Sequence, residues 1–337
     1  MTEWLSLTDA QRRTSLEQAQ IRSGIIPKAI EKDWWVTLVL KALFELPIAE
    51  YCIFKGGTSL SKGWHLINRL SEDIDVALSP EAFGMEYKQA PSHTYVKDVK
   101  RKGCLFVTQT IKELLEKRLG EYDLHGKTIE VYAGAINPIV PDKDPQEIFV
   151  KYISLYEPDE YLEDRVKIEF STRSIKDPFE IVKVQSILSE YFQQLPYQEI
   201  SFEVPVTSPH KTFVEKMCLM HEKISIKEIL KPDVERQSRH LYDLVQMAEK
   251  GVLDQVMEDV LLYNIIIDHR KNWIRLKDID YNTLQPKIIA FVPTEDLMEA
   301  FRKDYDKMLE GMIYGDPPNF DEIIIKLKNI NNQINKI

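Results

Sequence analysis

Between Phe54 and Leu78 the chain reads FKGGTSLSKGWHLINRLSEDIDVAL, and this stretch restricts the fold more than any other. Ile53-Phe54 reads as the end of a strand. Gly56-Gly57 then makes a tight turn that opens a helix through Thr58, Leu60 and Trp64. Such a turn aims backbone N–H groups at whatever precedes the helix, and phosphate is the usual guest. Asp73 and Asp75 follow, two apart, within the apolar stretch of Ile74, Val76, Ala77 and Leu78. On a strand, residues i and i+2 face one side, so the two carboxylates project together near the turn. Paired acidic ligands for Mg²⁺ beside a grip on a triphosphate are what two-metal phosphoryl or nucleotidyl transfer requires. A Gly-Gly pair alone is mostly a turn, and a lone Asp-x-Asp is mostly a solvated edge or loop. Their succession here (strand, Gly-Gly, helix, Asp-x-Asp strand) favours a site over either.

The rest of the chain supplies a frame for that site. Glu17–Ser23 and Pro27–Leu46 read as helices, the second with proline in its first turn. Trp34 and Trp35 read as core. Residues 88–102 are polar and mixed and read as a surface connection, and Leu105–Leu119 has helical periodicity. Thr128–Ala133 and Arg165–Ser171 read as strands, the second alternating cleanly with Val166, Ile168 and Phe170 on one face and Lys167 and Glu169 on the other. Pro196 and Pro205 mark turns. Beyond Ser208-Pro209 the pattern is helical, over Thr212–Lys223, Gln237–Lys250, Leu253–Ile267, Pro293–Met312 and Phe320–Ile334. The expectation is an α/β (α+β) core with a mixed sheet over residues 1–205, and a helical C-terminal domain over 206–337.

Composition narrows the class. The 337 residues suffice for one large or two moderate domains. No apolar run is long enough to span a membrane, and the N-terminus lacks the basic-then-apolar pattern of a secretory signal. Three scattered cysteines build neither a disulfide framework nor a thiolate metal site, so a cytoplasmic location is expected. With a net charge of −10, any nucleic-acid contact needs a local basic surface. Lys211, Lys216, Arg236, Arg239, Arg270 and Lys271 are the candidates for one.

Further candidates have two readings from the residues alone. Glu169 is either a third carboxylate that positions the incoming hydroxyl or an exposed strand residue paired with Lys167. Lys216 sits at the border of an apolar helix stripe (Phe213, Met217, Met220), where a lysine usually snorkels. Arg239 and Asp243 are i,i+4 and make a plain intrahelical ion pair.

The spelling GGTSLSKGW…RLSEDID resembles the signature of the DNA polymerase β-type nucleotidyltransferase superfamily, with a longer gap than its compact form. It is closest to one branch, the AbiEii/AbiGii toxin nucleotidyltransferases, which include the MenT-type toxins. Glu31-Lys32-Asp33 matches the Glu-Lys-Asp start of that family. Lys167-Ile168-Glu169 matches its third strand, the Glu215-Lys216 helix its "Glu-Lys" helix, and Arg239-His240-Leu241-Tyr242-Asp243-Leu244 its Arg-His-x-Tyr-Asp-Leu segment. The resemblance runs from Glu31 nearly to the C-terminus, and late signs such as Asp304-Tyr305 carry no identifiable chemistry.

The resemblance implies Asp73, Asp75, Glu169 and Asp243 as catalytic residues, with two Mg²⁺ on Asp73 and Asp75. Gly56, Gly57, Thr58, Arg69, Ser71, Lys216 and Arg239 would bind the NTP. Asp243 would act as base or hold Lys216 and Arg239, and the helical half would form the other wall of the cleft. The implied acceptor is RNA, with the 3′ end of tRNA the expected target, and the implied partner is a cognate antitoxin. Two other readings use the same residues: a transferase acting on a small molecule or protein, and an inactivated core that senses nucleotide. Intact Gly57, Asp73 and Asp75 argue against the last.

Overall fold

Local signals set most element boundaries in the computed structural model, which describes residues 2–135, 143–158, 162–192, 199–225 and 234–337. Helix α1 (Asp9–Ser23) opens on a capping box between Thr8 and Gln11 and closes on Gly24 at φ +74°. That cap starts the helix well before Glu17, where apolar spacing alone begins it. Helix α2 (Pro27–Phe44) carries proline at its first position. Its Trp34 and Trp35 are core, packed 4.9 Å from Trp4 and 4.8 Å from Tyr152 respectively.

β1 (Cys52–Lys55), α3 (Gly56–Lys62) and β2 (Asp73–Leu78) follow in the expected order. Residues 88–102 are not a surface connection: most of them lie in α4 (His93–Leu105), which Ser92 caps and which buries Val96, Val99 and Cys104. α4 runs through a π-helical turn (Phe106–Ile111) into α5 (Lys112–Gly120). Then come β3 (Ile129–Ala133), β4 (Gln146–Tyr152), β5 (Arg165–Ser171), β6 (Phe179–Val184), α6 (Ile187–Tyr191) and β7 (Phe202–Thr207). Pro205 is not at a turn but inside β7, opposite Ile181 of β6. β7 meets β1 in parallel at Phe54 and Val206, a short ladder that asks little of a residue without an N–H. Pro196 lies outside the described residues.

These strands form one seven-stranded sheet in the order β3-β4-β5-β2-β1-β7-β6. β2 pairs with β5 in parallel and with β1 antiparallel, so the sheet is mixed and the Asp-x-Asp strand lies at its centre. The expected mixed α/β class is observed.

The chain packs as two compact units, the first from Met1–Gly63, Leu70–Lys88 and Ser92–Thr207, the second from Trp64–Arg69, Gln89–Pro91 and Ser208–Ile337, within the described residues. The second holds α7 (Pro209–Ser225), α8 (Ser238–Glu249), α9 (Val252–Glu258), α10 (Val260–His269), α11 (Glu295–Gly311) and α12 (Phe320–Ile334). The expected single helix over Leu253–Ile267 is two, because the Asp259 side chain accepts from the Leu262 N–H and caps a new start. α8 packs against α7, α9, α11 and α12. Trp64–Arg69 belongs to this unit because Tyr314 N donates to Asn68 O at 3.1 Å and Arg69 bridges to Ile313. No helix among the described residues is long and apolar enough to cross a membrane.

In the first unit, Glu31, Lys32 and Asp33 of α2 are all buried and each reaches a different element. The Glu31 carboxylate accepts from Ser154 Oγ (2.6 Å) and Leu155 N (3.0 Å). Lys32 Nζ donates to the carbonyls of Glu163 (2.6 Å) and Arg165 (2.5 Å) and pairs with Glu72 at 3.3 Å. Asp33 accepts from Lys62 Nζ (2.5 Å) and Ile187 N (2.7 Å). Lys32 therefore joins the start of β5 to the residue before Asp73, and Asp33 pins the last turn of α3. Lys32→Met would take the ammonium from a buried carboxylate and from two carbonyls. We expect a loss of about 3–5 kcal/mol, seen as a lower urea midpoint; an unchanged midpoint would contradict this clamp.

Candidate active site

Alternation along β2 and β5 builds an acidic face in the first unit. Ile74, Val76, Val166, Ile168 and Phe170 are fully buried, while Asp73, Asp75, Lys167 and Glu169 take the other side and stay partly exposed. The register sets Asp73 beside Lys167 and Asp75 beside Glu169. Glu147 of β4 lies opposite Glu169 and extends the same row. Lys167 Nζ stands 3.2 Å from Asp73 Oδ2 and 2.8 Å from Glu169 Oε1. Burial works against its charge, but Asp73 and Glu169 together push the Lys167 ammonium above its ordinary range. Asp73 itself is raised, by burial first and then by Glu72 and Glu169, against the pull of Lys167.

Gly56 has φ +80°, which suits glycine, and a Cβ there would fall 2.0 Å from Asp75 Oδ2. The backbone of the turn thus packs directly on the Asp75 carboxylate. Thr58, fully buried in α3, hydrogen-bonds Ser71 Oγ at 2.8 Å and donates to the Asp73 carbonyl, tying the start of α3 to the start of β2. Arg173, just beyond β5, is held by Asp144 at 2.9 Å.

The face offers hard oxygen donors and already gathers a cation between two of them, which fits a divalent ion of the Mg²⁺ type. Among the described residues no three His, Cys, Asp or Glu side chains converge as a ready-made cage. Mg²⁺ is normally held by one or two carboxylates and completed by substrate phosphates, so it needs none.

The second unit holds the other sequence candidates around Asp243 of α8. Arg69 makes a two-pronged pair with it, Nε to Oδ1 at 2.7 Å and Nη2 to Oδ2 at 2.8 Å. Lys216 Nζ from α7 reaches Oδ2 at 2.9 Å and His240 Nδ1 at 3.2 Å. Burial opposes the Asp243 charge, yet Arg69 and Lys216 hold the carboxyl well below the usual range. Burial first, then Lys216 and Arg239, pushes His240 well below the ordinary imidazole range. The expected Arg239–Asp243 pair is replaced by Arg69–Asp243, and Arg239 Nε has no hydrogen-bond partner. Lys216 does not snorkel but is buried. The late Asp304 also has a place here: its carboxylate takes the N–H groups of Arg236 (2.6 Å) and Ser238 (2.8 Å) and so starts α8.

A family model described as the nucleotidyl transferase AbiEii toxin of type IV toxin–antitoxin systems matches residues 38–326. The chain belongs to this AbiEii family. It is therefore a nucleotidyltransferase, with an NTP as substrate and an antitoxin as counterpart. A comparison with curated proteins finds no match.

Within this AbiEii chain, the expected pairing of Lys167 with Glu169 on one strand face is observed, whereas the Lys167–Asp73 contact and the place of Glu147 in the acidic row were not read from the sequence. The sequence reading also misplaced the basic surface. Lys211 and Lys216 are buried, and Arg270 is locked onto buried Glu222, with Nε to Oε1 at 2.6 Å. These three cannot form an exposed patch.

Two substitutions test the geometry. Gly56→Ala should lower both transfer and melting temperature, because the methyl collides with Asp75, whereas Gly120→Ala, with open space around it, should leave both unchanged. Equal behaviour of the two would contradict the packing of the turn on Asp75. Asp243→Asn leaves two buried cations without their carboxylate and should destabilise by about 3–5 kcal/mol. Since the folded state depresses the Asp243 pKa, that stabilisation is complete above the unfolded value of about pH 4 and fades as pH falls below it. Urea unfolding of both proteins across pH 3–7 checks the sign; a gap that grows on acidification would contradict it.

Proposed function

We propose that the chain transfers a nucleoside monophosphate from an NTP to an RNA acceptor, the 3′ end of tRNA being the expected target, and that this is how it acts as a toxin. The observation that carries the reading is the row of Asp73, Asp75 and Glu169 on one sheet face, with the Gly56 turn packed on Asp75. Asp73 and Asp75 would hold two Mg²⁺, which when bound would supply neutralising charge to the attacking and leaving oxygens. Glu169 orients the acceptor hydroxyl and takes its proton as the oxygen bonds to the α-phosphorus and pyrophosphate leaves. The Gly56-Gly57 turn and Thr58, with Ser71 beside them, cradle phosphate oxygens. In the second unit, Lys216 and Arg239 are the cationic candidates for binding nucleotide. Arg69 and Asp243, buried and saturated by their own pair, serve as positioning residues for Lys216, which the geometry favours over a base role for Asp243.

A second reading rests on a specific observation. The charge of −10, the burial of Lys211 and Lys216 and the pairing of Arg270 with buried Glu222 favour an acceptor other than nucleic acid, a small molecule or a protein.

The test offers each labelled NTP with Mg²⁺ and total tRNA, then with cell extract, to wild type and to Asp75→Asn. Label should enter tRNA and fall by ~10²-fold or more in the variant at an unchanged melting temperature. Label in protein or metabolite alone would move the conclusion to the second reading. Near-normal transfer by Asp75→Asn would remove the metal-ligand role.

A further inference from the structure

We propose that Lys167 is the resident counter-cation of the acidic face: its ammonium holds Asp73 and Glu169 in place in the metal-free protein, yields to the entering divalent cation, and so sets how tightly that cation binds. This rests on the reading of Asp73 and Asp75 as metal ligands.

The placement comes from register. Lys167 faces Asp73 across the parallel β2–β5 pair and lies two residues from Glu169 on the same side of β5. Its Nζ contacts both carboxylates, at 3.2 Å and 2.8 Å, so it sits where charge neutralisation is needed. Asp75 and Glu147 continue the row on either side of Glu169. Lys55, opposite Asp75 on β1, donates instead to Ser174 Oγ at 2.9 Å.

Exposure separates Lys167 from Lys32 and Lys62, the buried lysines of this unit that also pair with carboxylates. The side chains of Lys32 and Lys62 are 4% and 5% exposed and cannot leave their partners without opening the core. Lys167 is 29% exposed, so its flexible stem can swing the head into water while the strand stays in register. A fixed ammonium would compete permanently with the metal. A mobile one neutralises the face when the metal is absent and releases it when the metal arrives. In both states Asp73 and Glu169 face a cation, so the strands need not rearrange when the site loads. Metal affinity follows the net charge of the donor set, and the ammonium subtracts from it.

The experiment uses the full chain and Mn²⁺, with bound ion read from loss of the free-ion electron paramagnetic resonance signal and melting temperatures taken with and without Mn²⁺. Wild type, Lys167→Met and Asp75→Asn are compared. The proposal expects Asp75-dependent binding in wild type. It expects binding at least tenfold tighter in Lys167→Met, with a lower metal-free melting temperature and a larger rise on adding Mn²⁺. A merely structural lysine would not tighten metal binding when removed. If wild type binds at an Asp75-dependent site and Lys167→Met binds equally or more weakly, the counter-cation role is overturned and the metal site stands. If wild type shows no Asp75-dependent binding, the metal site falls and this role with it. Should Lys167→Met fold only with Mn²⁺ present, the proposal is supported. If neither it nor Lys167→Gln folds even with Mn²⁺, the ion does not replace the ammonium and the proposal fails.

Discussion

A central strand pair that carries several carboxylates on one face must find counter-charge for them, and much of the first unit is arranged around that requirement. Asp73, Asp75 and Glu169 are partly withdrawn from water beside a backbone that fills the space behind Asp75. Like charges at directly opposite positions of neighbouring strands repel one another. Lys167 between two of them is the local answer, and Lys32 beneath Glu72 is another from the buried side of the sheet. The alternation that buries Ile74, Val76, Ile168 and Phe170 is what lifts the acids to the opposite face.

Buried ion pairs then do different work in the two units. In the first, Glu31, Lys32 and Asp33 convert one turn of α2 into a jig for the strands and for α3. In the second, Asp243 gathers Arg69 and Lys216 into a saturated cluster, and Asp304 fixes the start of the helix that carries it. A well-packed apolar substitute would hold such elements at least as firmly. Keeping charge there is consistent with presenting Lys216, Arg239 and His240 in one defined arrangement.

How far the sequence was legible depended on how local each signal is. The strand, Gly-Gly helix and Asp-x-Asp strand could be read because turn chemistry and period-two alternation act within a few residues, and the same holds for β5 and α12. α4 escaped notice because its polar majority hides a narrow stripe of Val96, Val99 and Cys104, and Pro205 misled because a short parallel ladder tolerates it. The partner of Asp243 could not be read at all: Arg239 is one helical turn away, yet Arg69, 174 positions distant, holds the carboxylate. The Glu-Lys-Asp segment lies ahead of the family match, which begins at residue 38, and its bracing role exists only once β5 and α3 are in place. Lys167 was visible as a neighbour of Glu169, whereas its contact with Asp73 needed the strand register.

The account stands on Asp73 and Asp75 being the place where a divalent ion meets the nucleotide. Crystals grown with Mn²⁺ and a non-hydrolysable NTP analogue, measured at the manganese absorption edge, test this most directly. An anomalous peak against Asp73 and Asp75, with Lys167 Nζ withdrawn from Asp73 and the triphosphate at the Gly56 turn, is the predicted result. A peak on other residues, or analogue bound with the Lys167 bridge intact and no ion on the two aspartates, would contradict it.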